Sequence, residues 1–354
     1  MSYFVVGYFA FLVLGSVLSA HFNRRTPFLL LFSLTLVSFV LGIVGGTDML
    51  RMVAIGAGLL AFAAGVSYSF REFLIVIAPV GVGKELKTAP LTAAFGMFVV
   101  FTYIIAAIFA PVIAPYGEAE VISSAYAPAD ENMLLGADQL GRDMFSRIVY
   151  GARNTVGLAL AATISAFLIG ALAGLLAATK GGWFDQFMGR VADVIMSIPS
   201  LIFALLMLSI FGPKTIVIIV AVAIIYSPRV FRLTRAVAGN VVVMDYIEAA
   251  KLRGERTWYL IRKEILPNSM APLIAEFGLE FCFVFLLVAG LSFLGLGIQP
   301  PTADWGSMVR ENATLISFGD ITPLIPAGAI ALLTVAVNFV VDWMLFRSSG
   351  LKER

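Results

Sequence analysis

Nine apolar stretches, each long enough to cross a membrane as a helix, dominate this sequence of 354 residues. A helix needs about 20 apolar residues to span the hydrocarbon core, where every backbone N–H and C=O must be paired internally. The stretches are residues 3–20, 28–45, 52–69, 90–114, 154–178, 190–211, 214–234, 270–291 and 321–346. Only 13% of residues are charged, about half the share of a typical soluble domain. The sequence therefore predicts an all-α polytopic membrane protein.

Two apolar segments need a separate interpretation. Residues 73–80 are too short to cross, so we interpret them as interfacial, and the stretch 52–69 is the weakest of the nine spans. The first stretch has no basic residues before it and is followed by Arg24 and Arg25. That order of charges favours a retained anchor over a cleaved signal peptide.

The distribution of basic residues along the chain indicates one orientation in the membrane. Lysines and arginines collect in cytoplasmic loops. Four separate segments place them on one side: Arg24 and Arg25; Arg71, Lys84 and Lys87; Lys180; and the group from Arg229 to Lys263. The tail with Arg347, Lys352 and Arg354 agrees. We expect the N-terminus outside, the C-terminus in the cytoplasm, and residues 115–153 as an external loop.

Several kinds of site are not expected. The single histidine, His21, and the single cysteine, Cys282, leave neither a multi-histidine metal site nor an internal disulfide. Residues 81–84 resemble part of a phosphate-binding loop, but Ala78 and Glu85 stand where glycine and Ser or Thr are needed. The basic residues are scattered, which argues against nucleic acid. We find no catalytic grouping of a nucleophile, a base and an orienting residue.

The polar loop, residues 236–268, is the most specific local pattern. It contains Glu-Ala-Ala, three residues, glycine, and later Ile-Leu-Pro before an apolar span. The residues concerned are Asp245, Glu248, Ala249, Ala250, Gly254, Ile265, Leu266 and Pro267. An ordinary amphipathic loop resting on lipid headgroups is the alternative. The full pattern in this context favours docking to a soluble partner.

The polar loop is predicted to form two short helices. Asp245 offers an N-cap, and Glu248 three residues later completes a capping box. The first helix is expected to end where Gly254 adopts a left-handed conformation. Thr257 is expected to cap a second helix, Trp258–Ile265, which Pro267 terminates by disfavouring the helical conformation of Leu266. The small side chains of the Ala-Ala pair would make the first helix thin enough to lie in a groove.

Together with this loop, three further motifs resemble the inner-membrane permeases of the dipeptide, oligopeptide and nickel ABC importer family, in the branch with the longer external first loop. The polar loop is similar to that family's EAA loop. The other motifs are Leu135-Gly136-Ala137-Asp138 through Arg153, Ser197-Ile198-Pro199-Ser200, and Leu291-Ser292-Phe293-Leu294-Gly295 through Pro301 with Trp305-Gly306. The resemblance covers about residues 90–354. It departs at Val288, where the family often has a glutamate.

The resemblance implies a type I ABC importer permease fold with six core transmembrane helices, within residues 89–354. Residues 1–88 would be an additional N-terminal segment of about three helices. It also implies a second homologous permease, two ABC ATPase subunits and an extracytoplasmic substrate-binding protein as partners, in the inner membrane of a prokaryote. ATP-Mg would bind the ATPase subunits and no cofactor would bind this chain. The loop around Glu248 would couple the chain to the ATPases.

Charges within the predicted spans leave two interpretations open. Glu276 and Glu280 lie four residues apart and share one helical face. They could line a translocation path, with Ser292, and attract a cationic group. They could instead pair with Arg229 or Arg232 near the cytoplasmic interface, because ionisable groups in the membrane usually face protein or water.

Two other functions compete with an ATP-driven importer. A secondary transporter would use Glu276 and Glu280 to couple uptake to an ion gradient, and a non-transporting scaffold would suit the additional helices. Neither needs a docking loop. Di- or oligopeptides are the default substrate by resemblance, and nickel chelates or other small solutes remain alternatives.

Overall fold

A computed structural model describes residues 2–21, 25–45 and 48–348. Regular structure in these residues is helical, apart from two isolated β-bridges. The α-helices are α1 Ser2–His21, α2 Arg25–Gly45, α3 Asp48–Ile77, α4 Val80–Leu86, α5 Leu91–Ile108, α6 Ala110–Ile113, α7 Met144–Gly151, α8 Gly157–Lys180, α9 Gly182–Met196, α10 Ser200–Phe211, α11 Thr215–Val242, α12 Asp245–Leu252, α13 Thr257–Tyr259, α14 Leu266–Phe293, α15 Trp305–Asn312 and α16 Leu324–Ser348. Residues 152–156 and 260–265 are π-helical and join α7 to α8 and α13 to α14.

Six helices of the described residues are long and apolar enough to cross a membrane, and a bent pair would make a seventh. The six are Val53–Ile77, Leu91–Ile108, Met144–Lys180, Thr215–Val242, Thr257–Phe293 and Leu324–Arg347. The parts of α1 and α2 with described side chains, Gly7–Ser19 and Thr26–Val40, are apolar but shorter than a span. The all-α membrane architecture is confirmed, whereas the first two predicted spans stay predictions.

The predicted span 190–211 is not one straight helix. Helices α9 and α10 meet at an angle of 83°, and the break falls at residues 197–199. Pro199 has no N–H to donate, and its ring disfavours the helical conformation for Ile198. The prediction of one uninterrupted helix here is therefore wrong, whereas a single span made of the bent pair stays a prediction.

The interfacial interpretation of residues 73–80 is also wrong for its first part, because α3 continues without interruption from Asp48 to Ile77. Of the two charged residues in its last third, Arg71 and Glu72, Arg71 is only 1% exposed. Its guanidinium donates a hydrogen bond to the backbone carbonyl of Ala89 at 3.0 Å and lies 5.1 Å from the ring centroid of Tyr68. These contacts allow the helix to carry an arginine among apolar residues.

The chain divides into two compact units, residues 1–100 and 101–354. In the first unit, aromatic side chains of α2 fit against glycines of α3. A Cβ at Gly65 would come within 2.5 Å of the ring of Phe32. Phe28 stacks on Tyr68 with 4.6 Å between ring centroids. The boundary predicted at residues 88–89 stays a prediction.

The second unit is organised around a close contact of α8 with α11. Gly170 and Gly174 form a small-xxx-small pattern on α8, which lets two helix backbones approach. A Cβ at Gly174 would lie 2.8 Å from the carbonyl oxygen of Phe231, and one at Gly170 would overlap the carbonyl of Ser227. Helix α11 keeps its helical path through Pro228.

We expect Gly170→Ala to lower the free energy of unfolding by about 1–3 kcal/mol, because the added methyl group overpacks a backbone contact. Gly157→Ala is the matched control on the same helix, since a Cβ there meets nothing within 4 Å. The measurement is the denaturation midpoint of each purified variant in detergent. Equal midpoints for the two variants would contradict the assigned packing of α8 on α11.

Candidate functional site

The first helix of the polar loop is α12, and it begins without the predicted capping box. Met244 occupies the N-cap position, and no side chain caps the helix. Asp245 and Glu248 both lie inside the first turn, where their negative charges favour the positive end of the helix dipole. The predicted N-cap at Asp245 is therefore wrong by one residue, although both carboxylates lie near the helix start.

The predicted end of α12 is confirmed. Gly254 has φ of +84°, a conformation that favours glycine because it has no Cβ. The N–H of Glu255 donates to the carbonyl of Ala250 at 3.2 Å, and the N–H of Gly254 to that of Lys251 at 2.9 Å. This pair of hydrogen bonds is the Schellman arrangement, which turns the chain sharply after a helix.

Helix α12 has two different faces. Ile247 and Ala250 are fully buried and pack with Ala238, Leu260 and other apolar residues of the same chain. Glu248 and Ala249 are exposed on the other face. The two alanines therefore lie in different surroundings: Ala250 is covered by the chain itself, and the role predicted for the exposed Ala249 in a groove stays a prediction. The buried face fixes α12 rigidly on α8, α11 and the π-helical segment.

The second predicted helix does not end at Pro267. Residues Thr257–Phe293 form one continuous helix of 37 residues, with Pro267 in the first turn of α14. The helix continues through Pro267, which has no N–H to donate, because the π-helical segment directly before it changes the local hydrogen-bond pattern. The helix also begins one residue earlier than predicted, because Arg256 and not Thr257 occupies the N-cap position. Ile265 is buried, Leu266 half-buried and Pro267 exposed.

A second cluster joins two sequence motifs that lie far apart in the chain. In the cap cluster, formed by Asp138, Arg142, Arg147 and Glu311, the Asp138 carboxylate lies 2.7 Å from Nε of Arg142 and 3.2 Å from Nε of Arg147. Glu311 lies 3.0 Å and 3.6 Å from the same two guanidinium groups. All four side chains are at most 8% exposed. Asp138, Arg142 and Arg147 belong to one of the sequence motifs, but the sequence did not predict their pairing with Glu311.

Trp305 contacts both α7 and α14. Its side chain is buried, its indole N–H donates to the carbonyl of Ile148 at 3.0 Å, and its ring packs edge-on against Tyr103 and Phe285. Asp304 caps α15 by accepting from the N–H of Ser307 at 2.9 Å. Burial raises the pKa of Asp304 above its usual range, while hydrogen bonds to the carboxylate oppose that shift.

The three predicted path residues are in different surroundings. Glu280 is buried, and its Oε2 atom has no hydrogen-bond partner among the described residues. Glu276, one turn away, is half-buried. Ser292 is buried and lies so close to Gly297 and Gly306 that no side chain fits at either position. The structure brings Glu276 and Glu280 together and places Ser292 near the cap cluster's end of α14, and the path role of all three stays a prediction.

These features define a multi-pass membrane protein whose polar loop packs against its own helices. The comparisons with known proteins agree. Residues 166–348 match the family described as "Binding-protein-dependent transport system inner membrane component". The chain is 34% identical over 261 residues to the dipeptide transport system permease protein of Alkalihalophilus pseudofirmus, covering 73% of this chain and 85% of that protein.

Two other relatives have similar names. The chain is 35% identical to the di/tripeptide transport system permease protein of Pseudomonas aeruginosa, covering 70% of this chain and 84% of that protein. It is 35% identical to the glutathione transport system permease protein of Pectobacterium atrosepticum, covering 59% and 69%. The chain belongs to the family of binding-protein-dependent transport system inner membrane components, the permeases of ABC importers.

Proposed function

We propose that this chain is one permease subunit of an ATP-driven importer of di- or oligopeptides in the inner membrane of a prokaryote. The printed functions of the relatives, which include dipeptide, di/tripeptide and glutathione transport, support the peptide class. A nickel chelate or another small solute is the alternative substrate. The chain forms half of the translocation path, and a second homologous permease forms the other half.

The observation that carries this proposal is the two-faced helix α12. Its inner face is locked into the chain by Ile247 and Ala250, and its outer face presents Glu248 and Ala249. A helix held this way transmits a displacement to the spans instead of absorbing it. We infer that the outer face seats in a groove on an ATPase subunit, so that closure of two ATPases around ATP-Mg moves the permease helices.

The chain itself holds no cofactor in this scheme, and ATP hydrolysis belongs to the partner ATPases. The distribution of basic residues supports an external N-terminus and a cytoplasmic polar loop and C-terminus. The loop between α6 and α7, with the cap cluster, then lies outside, where an extracytoplasmic binding protein delivers substrate.

The test is purification of the tagged chain in a gentle detergent with identification of the proteins that copurify. We expect a second permease and ABC ATPases, and ATP hydrolysis that rises when a peptide-loaded binding protein is added to the reconstituted complex. A chain that purifies alone and takes up solute in response to an ion gradient would instead establish a secondary transporter.

A further inference from the structure

Helix α9 lies across α11 instead of running along it. Near its start, Asp185 forms an ion pair with Arg235, and at its end the Sδ atom of Met196 lies 3.9 Å from Nη1 of Arg232. The two α9 residues are about 16 Å apart along their own helix, whereas their two partners are only about 4.5 Å apart along α11. The two helix axes therefore cross steeply.

Helix α9 starts on the side of the membrane where the polar loop lies. Helices α8 and α11 run parallel, because a Cβ at Gly170 would meet Ser227 and one at Gly174 would meet Phe231. Leu175, near the end of α8, lies in one buried cluster with the polar loop. Since α11 begins on the opposite side, the chain returns through α10, which is bent by 83° from α9. Helix α9 itself is thus placed transverse to the spans, at their polar-loop end.

Helix α9 has an apolar edge and a polar edge. The apolar edge consists of the exposed residues Trp183, Phe187, Val191 and Val194. The polar edge consists of Asp185, Gln186 and Asp193. Between the edges, Phe184 and Ala192 pack with Phe231 of α11. Asp185 reaches Arg235, which lies one turn beyond Phe231 towards the polar loop. The polar edge therefore faces the side of the polar loop, and the apolar edge faces the interior of the membrane.

The apolar edge is open in the single chain. Trp183 is 74% exposed and Val194 65% exposed. The ring of Trp183 stacks on that of Phe187 with 5.2 Å between ring centroids, so the two rings form one flat apolar surface. A continuous row of large apolar side chains marks a surface that meets lipid or another protein. Tryptophan is enriched where the membrane meets water.

The direction of the apolar edge favours lipid as its partner. A neighbouring subunit would approach α9 from the side opposite α8 and α11, and that side carries Arg190, which is exposed. The apolar edge is directed instead towards the acyl chains, as in helices that lie in the membrane interface. Arg190 projects sideways between the two edges, where lipid phosphates lie, and its long side chain can reach them.

We propose that α9 lies in the plane of the membrane, at the boundary between headgroups and acyl chains on the side of the polar loop, with phospholipid covering its apolar edge. Trp183, Phe187, Val191 and Val194 enter the acyl region, and the polar edge faces water. The ion pair between Asp185 and Arg235 joins this lipid-held helix to α11. The position of α9 in the interface then sets the depth of the end of α11 to which the polar loop is attached.

The inference is tested by measuring the depth of spin labels in liposomes of phosphatidylcholine and phosphatidylglycerol. The sample is the full chain with the subunits that copurify with it, in a Cys282→Ala background with one new cysteine at a time. Phe187→Cys and Val194→Cys place labels on the apolar edge, and Asp193→Cys is the matched control on the polar edge. Oxygen relaxes labels that lie among acyl chains, whereas a water-soluble chromium complex relaxes labels that lie in water.

We expect the labels at positions 187 and 194 to lie at the same depth among the acyl chains, and the label at position 193 to be open to the chromium complex. An upright helix would overturn the inference. In that case the labels at 193 and 194 would be equally deep, and the label at 187 would differ from them by about 10 Å. Should Phe187→Cys fail to fold, Trp183→Cys replaces it in the comparison, about 16 Å from Val194 along the helix.

Two further outcomes would also overturn the inference. Labels at both apolar positions that are shielded from oxygen and from the chromium complex would show that protein covers this edge, such as the second permease. Labels at both positions that are open to the chromium complex would place the edge in water. These measurements need neither ATP nor a transported solute, so a failure of the proposed function would leave their outcome unchanged.

Discussion

Replacing Ala249 with arginine is expected to reduce ATP-dependent uptake at least tenfold without unfolding the chain. Ala249 is exposed on the outer face of α12, so a long charged side chain there meets no residue of the same chain but obstructs the proposed groove on the ATPase. The measurement is peptide uptake by the reconstituted transporter, together with copurification of the ATPase subunits. We expect the ATPase to be lost or its hydrolysis to become independent of the binding protein.

The matched control is Ala236→Arg, which introduces the same side chain at an exposed alanine of α11. It should leave uptake within twofold of the wild type. Deleting residues 248–254 would be a poorer test, because the deletion removes Ala250 from a buried cluster. Normal uptake by Ala249→Arg would contradict the docking role of the outer face of α12.

The second large effect is expected from Asp138→Ala in the cap cluster. This substitution leaves the buried guanidinium groups of Arg142 and Arg147 with Glu311 as their remaining carboxylate partner. It also removes the acceptor for the backbone N–H groups of Leu140 and Arg142. Breaking a buried ion pair on one side costs about 3–5 kcal/mol. We expect a loss of that size in the free energy of unfolding, measured by denaturant titration in micelles.

Glu131→Ala provides the control within the same loop. Glu131 is exposed, and surface substitutions of this kind usually change stability by less than about 0.5 kcal/mol. If Asp138→Ala were as mild as this control, the cap cluster would not stabilise the loop.

The broad architecture could be predicted because lipid imposes a simple rule on sequence. Long apolar runs in a membrane must be helical, and the lengths and separations of these runs can be read directly from the order of the residues. The turn at Gly254 was equally accessible, since a glycine after a short polar helix is a local signal. The class of fold and the position of the polar loop therefore followed from the sequence.

Helix ends near prolines were harder to predict because the effect of a proline depends on its position within the helix. Pro199 breaks a span, whereas Pro228 lies inside α11 and Pro267 in the first turn of α14. The break at Pro199 had a usable signal in the polar residues Ser197 and Ser200 on either side of it. No sequence pattern around Pro267 predicted the π-helical segment that precedes it.

Contacts between distant segments were not predictable from spacing. The pairing of Arg142 with Glu311 joins residues 169 positions apart, and the capture of Arg229 between rings of α11 and α14 depends on how those helices pack. Residue types alone allowed Arg229 or Arg232 as a neighbour of the two glutamates. Only the packing selects the first.

The unbroken helix Thr257–Phe293 has a mechanical consequence. Its 37 residues correspond to a length of about 55 Å, with the polar loop at one end and the Trp305 junction at the other. If this helix tilts as one body about a point between its ends, the end near Trp258 and the end near Trp305 move in opposite directions. Within its described length, the π-helical segment 260–265 and Pro272 both interrupt the regular α-helical hydrogen bonding. In the proposed importer, a displacement of the polar loop would reach the Trp305 junction through this helix itself.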